Sequence, residues 1–392
     1  MSASYTRLLK PPDISFFLFG ARGTGKSTWL KAMFPHELRL DLLDTSLQLE
    51  LMAAPDRLAA LVGHKPPGTW VVLDEVQKIP ALLDEVHRLI EERKWRFALC
   101  GSSARKLKRG GADLLAGRAL TLNMEPFSFQ EVGPDYDVDF AIQWGLLPVV
   151  WAHPGYAADI LAAYLDTYLR EEIRVEGTVR KYPPFIRFLG VAGQMNGQML
   201  NAQNIAREAA VPRSSVDGYF GLLQDTLVAG LLPAYRPGAK VREAAHPKFY
   251  WIDPGMARAA ANLLRDPLEQ VWAGTALETI IFHELRVYNQ ASGKHRPLAY
   301  YRTPGGTEID FVIETRRRQA HCHPEVVCLE VKRASRWNRK WERPMRDLKS
   351  RDNITVRKMI GIYTGEKIYH FDGLDVWPVA HFLSQLFAGQ LF

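Results

Sequence analysis

The feature that most constrains the fold is the run GARGTGKS, residues 20–27, which fits G-x-x-x-x-G-K-[ST] at every fixed position. The apolar, β-type residues 14–19 precede it, and residues 27–33 follow with a helical pattern. The motif works only where a glycine-rich loop joins a strand to a helix. The sequence therefore predicts an α/β domain built on a parallel sheet.

This loop has the chemistry of a phosphate-binding site. Its glycines let backbone N–H groups approach phosphates, and the following helix N-terminus adds positive potential. The ammonium of Lys26 reaches the β and γ phosphates, and the Ser27 hydroxyl is offered to Mg²⁺. We therefore predict ATP and Mg²⁺ as ligands and assign the nucleotide contacts to Gly20, Arg22, Gly23, Thr24, Gly25, Lys26, Ser27 and Thr28.

A pair of acids follows the next strongly apolar run, Trp-Val-Val-Leu at residues 70–73. Ligands of open α/β sheets bind at the carboxyl ends of strands, which is where Asp74 and Glu75 are expected. Asp74 is predicted to hold Mg²⁺ through water, and Glu75 to polarise the attacking water.

Two more polar residues are candidates for the same reaction. Ser102 follows the predicted strand at residues 97–100 and could sense the γ-phosphate or orient water; the alternative is an ordinary turn. Arg118 could stabilise transition-state charge in a neighbouring subunit, which would require an oligomer. The alternative for Arg118 is a structural surface arginine.

A chain of 392 residues is too long for one ordinary core, and we divide it into three parts. Residues 1–155 alternate apolar runs with helical patterns, residues 156–270 are mostly helical, and residues 271–392 return to mixed α/β. The Pro- and Gly-containing stretches WAHPGY and WIDPG are candidate seams. With no membrane-length apolar run, no apolar leader and three cysteines, we expect a cytoplasmic protein.

The middle part contains a helix-turn-helix pattern. Residues 201–210, with Asn201 near the cap, and residues 215–228 are two predicted helices around a break with Ser214 as a second cap candidate. Strands near residues 231–235 and 248–252 would enclose a wing. In a DNA-binding interpretation the phosphate contacts come from Arg213, Lys240 and Arg242. The alternative is a helical lid or subunit-contact module.

Four residues of the last part resemble the PD-(D/E)xK nuclease pattern: Glu278, Asp310, Glu330 and Lys332. Glu330 and Lys332 share one face of a strand, since side chains alternate with a period of two. As a nuclease site, Asp310 and Glu330 would hold Mg²⁺ and Lys332 would activate water, with Glu278 accessory. Alternatively, the fold serves binding or packing, and Lys332 neutralises a carboxylate with no metal present.

Basic charge is concentrated in this last part. Residues 294–358 carry 17 basic and 8 acidic side chains, a net +9 against +7 for the whole chain. The tract at residues 332–343 interleaves Lys and Arg with Trp337 and Trp341, which suits phosphate pairing and base stacking. A basic, solvent-facing helix is the alternative. The residues His321, Cys322, His323 and Cys328 fit no common zinc spacing.

Taken together, these residues resemble an AAA+-type ATPase, and more narrowly a bacterial and archaeal family that carries a C-terminal region long labelled a domain of unknown function. The resemblance runs through GARGTGKS, VVLDEVQ, CGSS, AGRAL, MEPFSFQEV, GLLPVV, AYLDTYLREEI, KFYWIDPG, YYRTPGGTEIDFVI and LEVK. It implies a P-loop AAA+ parallel-sheet domain, a helical and winged-helix domain and an α/β restriction-endonuclease-like domain. AAA+ relatives commonly form rings, and a hexamer is one possibility. The family often has an Arg-Asp pair where this chain has Arg170-Glu171.

Our leading hypothesis is an oligomeric, Mg²⁺-dependent ATPase that couples hydrolysis to DNA binding, translocation or remodelling, including junction migration. The first alternative is an ATP-regulated endonuclease. The second is a nucleotide-switched protein-interaction module with no DNA role.

Overall fold

The computed structural model describes residues 5–102, 107, 115–169, 182–236, 246–303, 305–319 and 322–392. Three sheets organise these residues. Within the described ranges, none of the helices combines the length and the apolar character that crossing a membrane requires.

The first sheet has five strands: β1 Phe16–Phe19, β2 Leu38–Asp41, β3 Trp70–Asp74, β4 Arg96–Gly101 and β5 Leu120–Asn123. They lie in the order β2-β3-β4-β1-β5, and every neighbouring pair is parallel. The four residues of β1 are buried because helices cover both faces of a parallel sheet. The helices of this part are α1 Lys26–Met33, α2 Thr45–Ala53, α3 Arg57–Val62 and α4 Leu82–Arg93. The predicted parallel α/β sheet is confirmed.

A helical region follows the first sheet. Its helices are α5 Phe129–Val132, α6 Val138–Trp144, α7 Pro148–Ala152, α8 Ala157–Ala163, α9 Tyr182–Gln194, α10 Ala202–Glu208, α11 Arg213–Asp225 and α12 Pro254–Ala260. The strands β6 Gln198–Met199, β7 Ala229–Leu232 and β8 Lys248–Trp251 form a small antiparallel sheet in the order β6-β8-β7.

The two helices of the predicted helix-turn-helix are α10 and α11. Asn201 caps α10 as expected, since its side chain accepts a hydrogen bond from Asn204 N at 3.1 Å. The second cap was placed wrongly: α11 begins at Arg213, so Ser214 lies inside the helix and Pro212 precedes it. Proline suits this position because its fixed φ prepares the chain for a helical turn.

The last part opens with the 22-residue helix α13 Gln270–Ala291. Its mixed sheet contains β9 Leu298–Arg302, β10 Glu308–Arg316, β11 Glu325–Lys332, β12 Thr355–Tyr363, β13 Tyr369–Phe371 and β14 Leu374–Pro378 in the order β13-β14-β12-β11-β10-β9. The strands β10 and β11 form an antiparallel hairpin, and β12 runs parallel to β11. Two shorter helices complete this part, α14 Arg343–Lys349 and α15 Val379–Phe387.

One face of α13 docks on the segment that follows β5. The hydrogen bonds join Gln290 Nε2 to Asn123 O at 2.8 Å, Arg286 Nη2 to Glu125 Oε1 at 2.6 Å, His283 Nε2 to Phe127 O at 2.9 Å, and Phe129 N to Glu284 Oε1 at 2.8 Å. The first and last parts of the chain are therefore in direct contact.

The WIDPG stretch is not a seam, contrary to the sequence-based expectation. Asp253 is fully buried, and its carboxylate accepts hydrogen bonds from Met256 N at 2.9 Å and Leu146 N at 2.5 Å. A Cβ on Gly145 would lie 2.0 Å from Asp253 Oδ1, so only glycine fits there. Asp253 therefore caps α12 and ties it to the loop between α6 and α7.

We expect Asp253→Ala to lower the free energy of unfolding by about 2–4 kcal/mol, because it leaves two buried N–H groups without an acceptor. Asp159→Ala is the control, since its ion pair with Arg265 is exposed, and such pairs contribute about 0–1 kcal/mol. Urea or thermal unfolding measures both variants. Equal effects of the two substitutions would contradict the structural role of Asp253.

Candidate functional site

The glycine-rich loop lies between β1 and α1, as predicted. Gly23 and Gly25 have φ angles of 77° and 87°, in the left-handed region that favours glycine. A Cβ on Gly20 would lie 2.4 Å from the carbonyl oxygen of Met124. The loop conformation therefore depends on glycine at all three positions.

Lys26 and Thr24 brace the loop from inside. The buried Lys26 ammonium donates to Gly20 O at 2.7 Å and Ala21 O at 3.0 Å, and Thr24 Oγ1 donates to Ala21 O at 2.8 Å. Of the residues predicted to contact the nucleotide, Arg22, Ser27 and Thr28 are exposed to solvent. The loop thus holds its positive charge where an anion can approach.

The Ser27 hydroxyl and the Asp74 carboxylate meet at the end of the sheet. Ser27 Oγ donates to Asp74 Oδ2 at 3.0 Å, which brings together the two residues predicted to serve Mg²⁺. Arg39 of β2 pairs with the same carboxylate oxygen and also donates to Ser27 O at 3.3 Å. Sequence reasoning missed Arg39, since an arginine on a neighbouring strand has no motif that links it to Asp74.

Glu75 and Ser102 lie at the ends of the adjacent strands β3 and β4 and are joined by Gln77. The Gln77 amide donates to Glu75 Oε2 and, at 3.3 Å, to Ser102 Oγ. Sequence reasoning missed Gln77, although its position two residues after Glu75 was a usable signal. Ser103 lies outside the described residues.

Arg118 forms an exposed ion pair with Glu91 of α4 in the same chain, with Nε and Oε1 2.5 Å apart. Its role in a neighbouring subunit stays a prediction.

A cavity of about 310 Å³ adjoins the loop. It is lined by Thr24, Gly25 and Thr28 of the loop and α1, by Trp29, Ala32 and Met33, by the N-terminal residues Tyr5, Thr6 and Arg7, and by Phe127, Pro148 and Ala152. Four separate stretches of chain thus enclose a largely apolar space beside the phosphate-binding loop.

The four residues of the nuclease-like pattern do come together, but two lysines lie among their carboxylates. Lys332 Nζ lies 2.5 Å from Glu330 Oε1 and 3.5 Å from Asp310 Oδ2. Lys248 of β8 lies 3.0 Å from Glu278 Oε1 and 4.0 Å from Asp310 Oδ1.

Glu308 belongs to the same carboxylate cluster. It contacts Lys248 at 2.6 Å and Arg302 at 3.3 Å. Tyr250 also donates to Glu278. Lys248 and Tyr250 lie on β8, about 30 residues or more from the nuclease-like pattern, and nothing in that pattern points to them. Glu308 lies two residues before Asp310 on β10, and this alternation was a signal that sequence reasoning did not use.

Burial raises the pKa of Glu330 to about 8, and the nearby Asp310 adds to the effect. Among the described residues, Glu330 Oε2 is buried without a hydrogen-bond partner. Burial and the nearby Asp310 also raise the pKa of Glu278. In the described part of the chain, no group of three or more His, Cys, Asp or Glu is placed to hold a metal ion. A nuclease metal centre at Asp310 and Glu330 stays a prediction.

The basic tract contributes to packing more than the sequence suggested. Trp337 lies against Gly361, where a Cβ would come within 2.3 Å of the indole, and its Nε1 donates to Glu342 at 3.2 Å. Arg339 pairs with Asp372 at 2.5 Å, and Arg346 pairs with the buried Glu342 at 2.7 Å. The tract is therefore not an open stacking surface around Trp337.

Of the predicted DNA contacts, Arg213 is exposed at the first turn of α11 and pairs with Asp217 at 2.7 Å. Lys240, Arg242 and Arg170 lie outside the described residues, as does His321. Cys328 is fully buried in β11, while Cys322 is exposed.

Three family models match successive parts of the chain. Residues 14–133 match an AAA domain, residues 135–266 match the domain of unknown function DUF8612, and residues 273–382 match the domain of unknown function DUF4143. No curated protein matches the sequence.

Solved structures with similarity to the chain share little sequence with it. A RuvB protein of Thermotoga maritima has a TM-score of 0.30 and 12% identity, covering 56% of this chain and 82% of its own. The ORC2 protein of Aeropyrum pernix in its ADP form has a TM-score of 0.30 and 11% identity, covering 68% and 88%. The ORC1 protein of the same organism, in complex with DNA, has a TM-score of 0.24 and 14% identity, covering 69% and 87%.

The loop geometry, the parallel sheet and the family match agree on the first part of the chain. Residues 14–133 match an AAA domain and contain the P-loop, and the two regions that follow match families of unknown function.

Proposed function

We propose that this protein is an Mg²⁺-dependent ATP hydrolase. The observation that carries the proposal is the 3.0 Å contact between Ser27 and Asp74 at the end of a glycine loop with left-handed Gly23 and Gly25. A hydroxyl beside a carboxylate is an oxygen ligand set of the kind that suits Mg²⁺. The donor set therefore fits the ion and the triphosphate together.

The nucleotide is held by the main chain and one ammonium. Loop N–H groups and the N-terminus of α1 face the phosphates, and Lys26, braced by Gly20 O and Ala21 O, supplies the positive charge. The cavity of about 310 Å³ beside Thr28 and Trp29 receives the nucleoside. Its apolar lining suits a flat heterocyclic base.

Hydrolysis relies on the acids at the end of β3. Glu75 accepts a proton as water attacks the γ-phosphorus, the bond to the ADP oxygen breaks, and phosphate leaves. Ser27 and Asp74 would hold Mg²⁺, which would supply neutralisation of the phosphate charge. Ser102 orients the water or the γ-phosphate. Arg118 of a neighbouring copy in a ring, with six copies as one arrangement, would supply charge in trans.

DNA is the partner that we propose for the middle part. The elements follow in the order α9-β6-α10-α11-β7-β8 and form a β6-β8-β7 sheet. This order supports a winged helix in which α11, the second helix of the helix-turn-helix, is the recognition helix. The exposed Arg213 at the start of α11 supports phosphate contact. Lys240 and Arg242 remain candidates for the wing.

The proposal does not extend to DNA cleavage. The order α13-β9-β10-β11-α14-β12 supports a restriction-endonuclease-like fold, and the pairing of Lys248 with Glu278 supports a structural role for these carboxylates. We propose that the cluster instead joins β8 to the C-terminal sheet.

Lys26→Ala removes the ammonium that faces the phosphates, so we expect it to weaken ATP binding. Glu75→Gln should keep ATP binding but slow turnover roughly 10²-fold or more, because it removes the group that activates water. Binding is measured with a fluorescent ATP analogue and turnover by phosphate release with Mg²⁺. Lys31→Ala, an exposed lysine at the end of α1, is the matched control. Normal turnover in Glu75→Gln would show that another group activates the water, and a wild-type protein that retains no nucleotide would overturn the proposal.

Arg213→Ala is expected to weaken DNA binding and to reduce the slope of log K against log salt by about 1, as loss of one phosphate contact does. Single-stranded, duplex and branched DNA are compared at low salt, with ATPase rates measured alongside. Arg265→Ala is the control, because Arg265 also forms an exposed ion pair in the middle part. The DNA role fails if wild-type protein neither binds these DNAs nor hydrolyses ATP faster in their presence.

Glu330→Gln tests the contribution of the buried Glu330 carboxyl to stability. A raised pKa of about 8 means that the stability from protonated Glu330 is fully present below the ordinary glutamate pKa of about 4.3 and is lost as pH rises through 8. Thermal midpoints between about pH 6 and 9 should therefore fall less steeply in Glu330→Gln than in wild type. Glu366→Gln, at an exposed position, should follow wild type. Mn²⁺ that stabilises wild type but not Asp74→Ala would reflect the P-loop site, whereas Mn²⁺ stabilisation lost only in Glu330→Gln would contradict a metal-free role for the C-terminal carboxylates.

A further inference from the structure

Gln77 connects the two side chains expected to handle the attacking water. It lies in the short turn Val76–Lys78 directly after β3 and is 7% exposed. The two hydrogens of one amide nitrogen serve Glu75 and Ser102, which come from neighbouring strands. A single buried side chain therefore sets the relative positions of both.

The backbone is shaped for this contact. Glu75 has φ 58° and ψ 39°, a left-handed conformation that is uncommon for a residue other than glycine. Lys78 N closes the turn on Glu75 O at 2.9 Å. At the end of β4, a Cβ on Gly101 would lie 2.4 Å from Gln77 Oε1, so glycine leaves the space that the amide occupies.

Packing alone does not account for glutamine at this position. Among the described residues its Oε1 is buried without a hydrogen-bond partner, which is unfavourable for stability. Methionine has a similar length and flexibility and would fill the space without burying an unsatisfied acceptor. The amide orientation with nitrogen towards Glu75 is the favourable one, since a carbonyl oxygen there would face the carboxylate.

We propose that Gln77 is a positioning residue for ATP hydrolysis, which fixes the Glu75 carboxylate and couples it to Ser102. This inference rests on the proposed function. The amide restricts Glu75 to one orientation before water attacks, and such alignment lowers the barrier of the chemical step more than it strengthens substrate binding.

The test is Gln77→Met, which removes the donor at nearly constant volume. We expect kcat to fall about 10- to 100-fold, as for loss of one hydrogen bond to a charged group, with the affinity for the fluorescent ATP analogue unchanged. Lys78→Ala, an exposed neighbour in the same turn, should retain wild-type kcat. Introduced into Glu75→Gln, the methionine substitution should cause little further loss, because Gln77 acts through Glu75.

Gln77→Glu is a second variant that keeps the shape and reverses the interaction. Two carboxylates at hydrogen-bond distance favour sharing a proton, so the acidic limb of the pH–kcat profile should move to higher pH. A purely structural residue would lower activity without moving that limb.

The outcomes separate the two proposals. If the wild-type protein does not hydrolyse ATP, the proposed function fails. If the wild type is active and Gln77→Met has a normal kcat, or if its loss adds in full to that of Glu75→Gln, only the positioning role fails. An unshifted pH profile in an active Gln77→Glu variant would also overturn it.

Discussion

The docking of helix α13 on residues 123–129 is the contact on which the arrangement of the whole chain depends. Polar groups buried at such a junction must be paired or neutral, because their desolvation is unfavourable. Burial lowers the pKa of His283 to about 4 and raises the pKa of Glu284 well above its usual range, and both shifts favour the neutral side chain. His283 and Glu284 bind main-chain groups of Phe127 and Phe129, and Arg286 with Glu125 forms an ion pair.

The same segment supports the P-loop from its other side. Met124 N donates to Phe19 O at 2.7 Å, and the Met124 carbonyl oxygen lies where a Cβ on Gly20 would be. The phosphate-binding loop and helix α13 therefore both contact the same short stretch of backbone, residues 123–129. Lys248 and Tyr250 of β8 contact Glu278 of α13, so the middle part of the chain also packs against this helix.

Predictions that rested on neighbouring residues were mostly correct. The parallel sheet, the strand–loop–helix around residues 20–27 and the strand that carries Glu330 and Lys332 follow from apolar periodicity and glycine placement within short windows. The errors arose where distant residues decide the environment. Pro254 and Gly255 have turn composition, yet the carboxylate of Asp253 binds Leu146 N and buries them. Trp337 belongs to a basic tract, yet it packs against Gly361 of strand β12.

By itself the sequence determined the chemistry of the phosphate site, because the run of residues 20–27 and a pair of acids at a strand end carry it. It also determined which carboxylates of the last part would share a sheet. Only the tertiary structure decided what stands beside them: Arg39 at Asp74, Gln77 between Glu75 and Ser102, and Lys248 among the C-terminal acids. The physical reason is that the charge state and orientation of a buried group are set by neighbours in space, and most of these neighbours come from other strands.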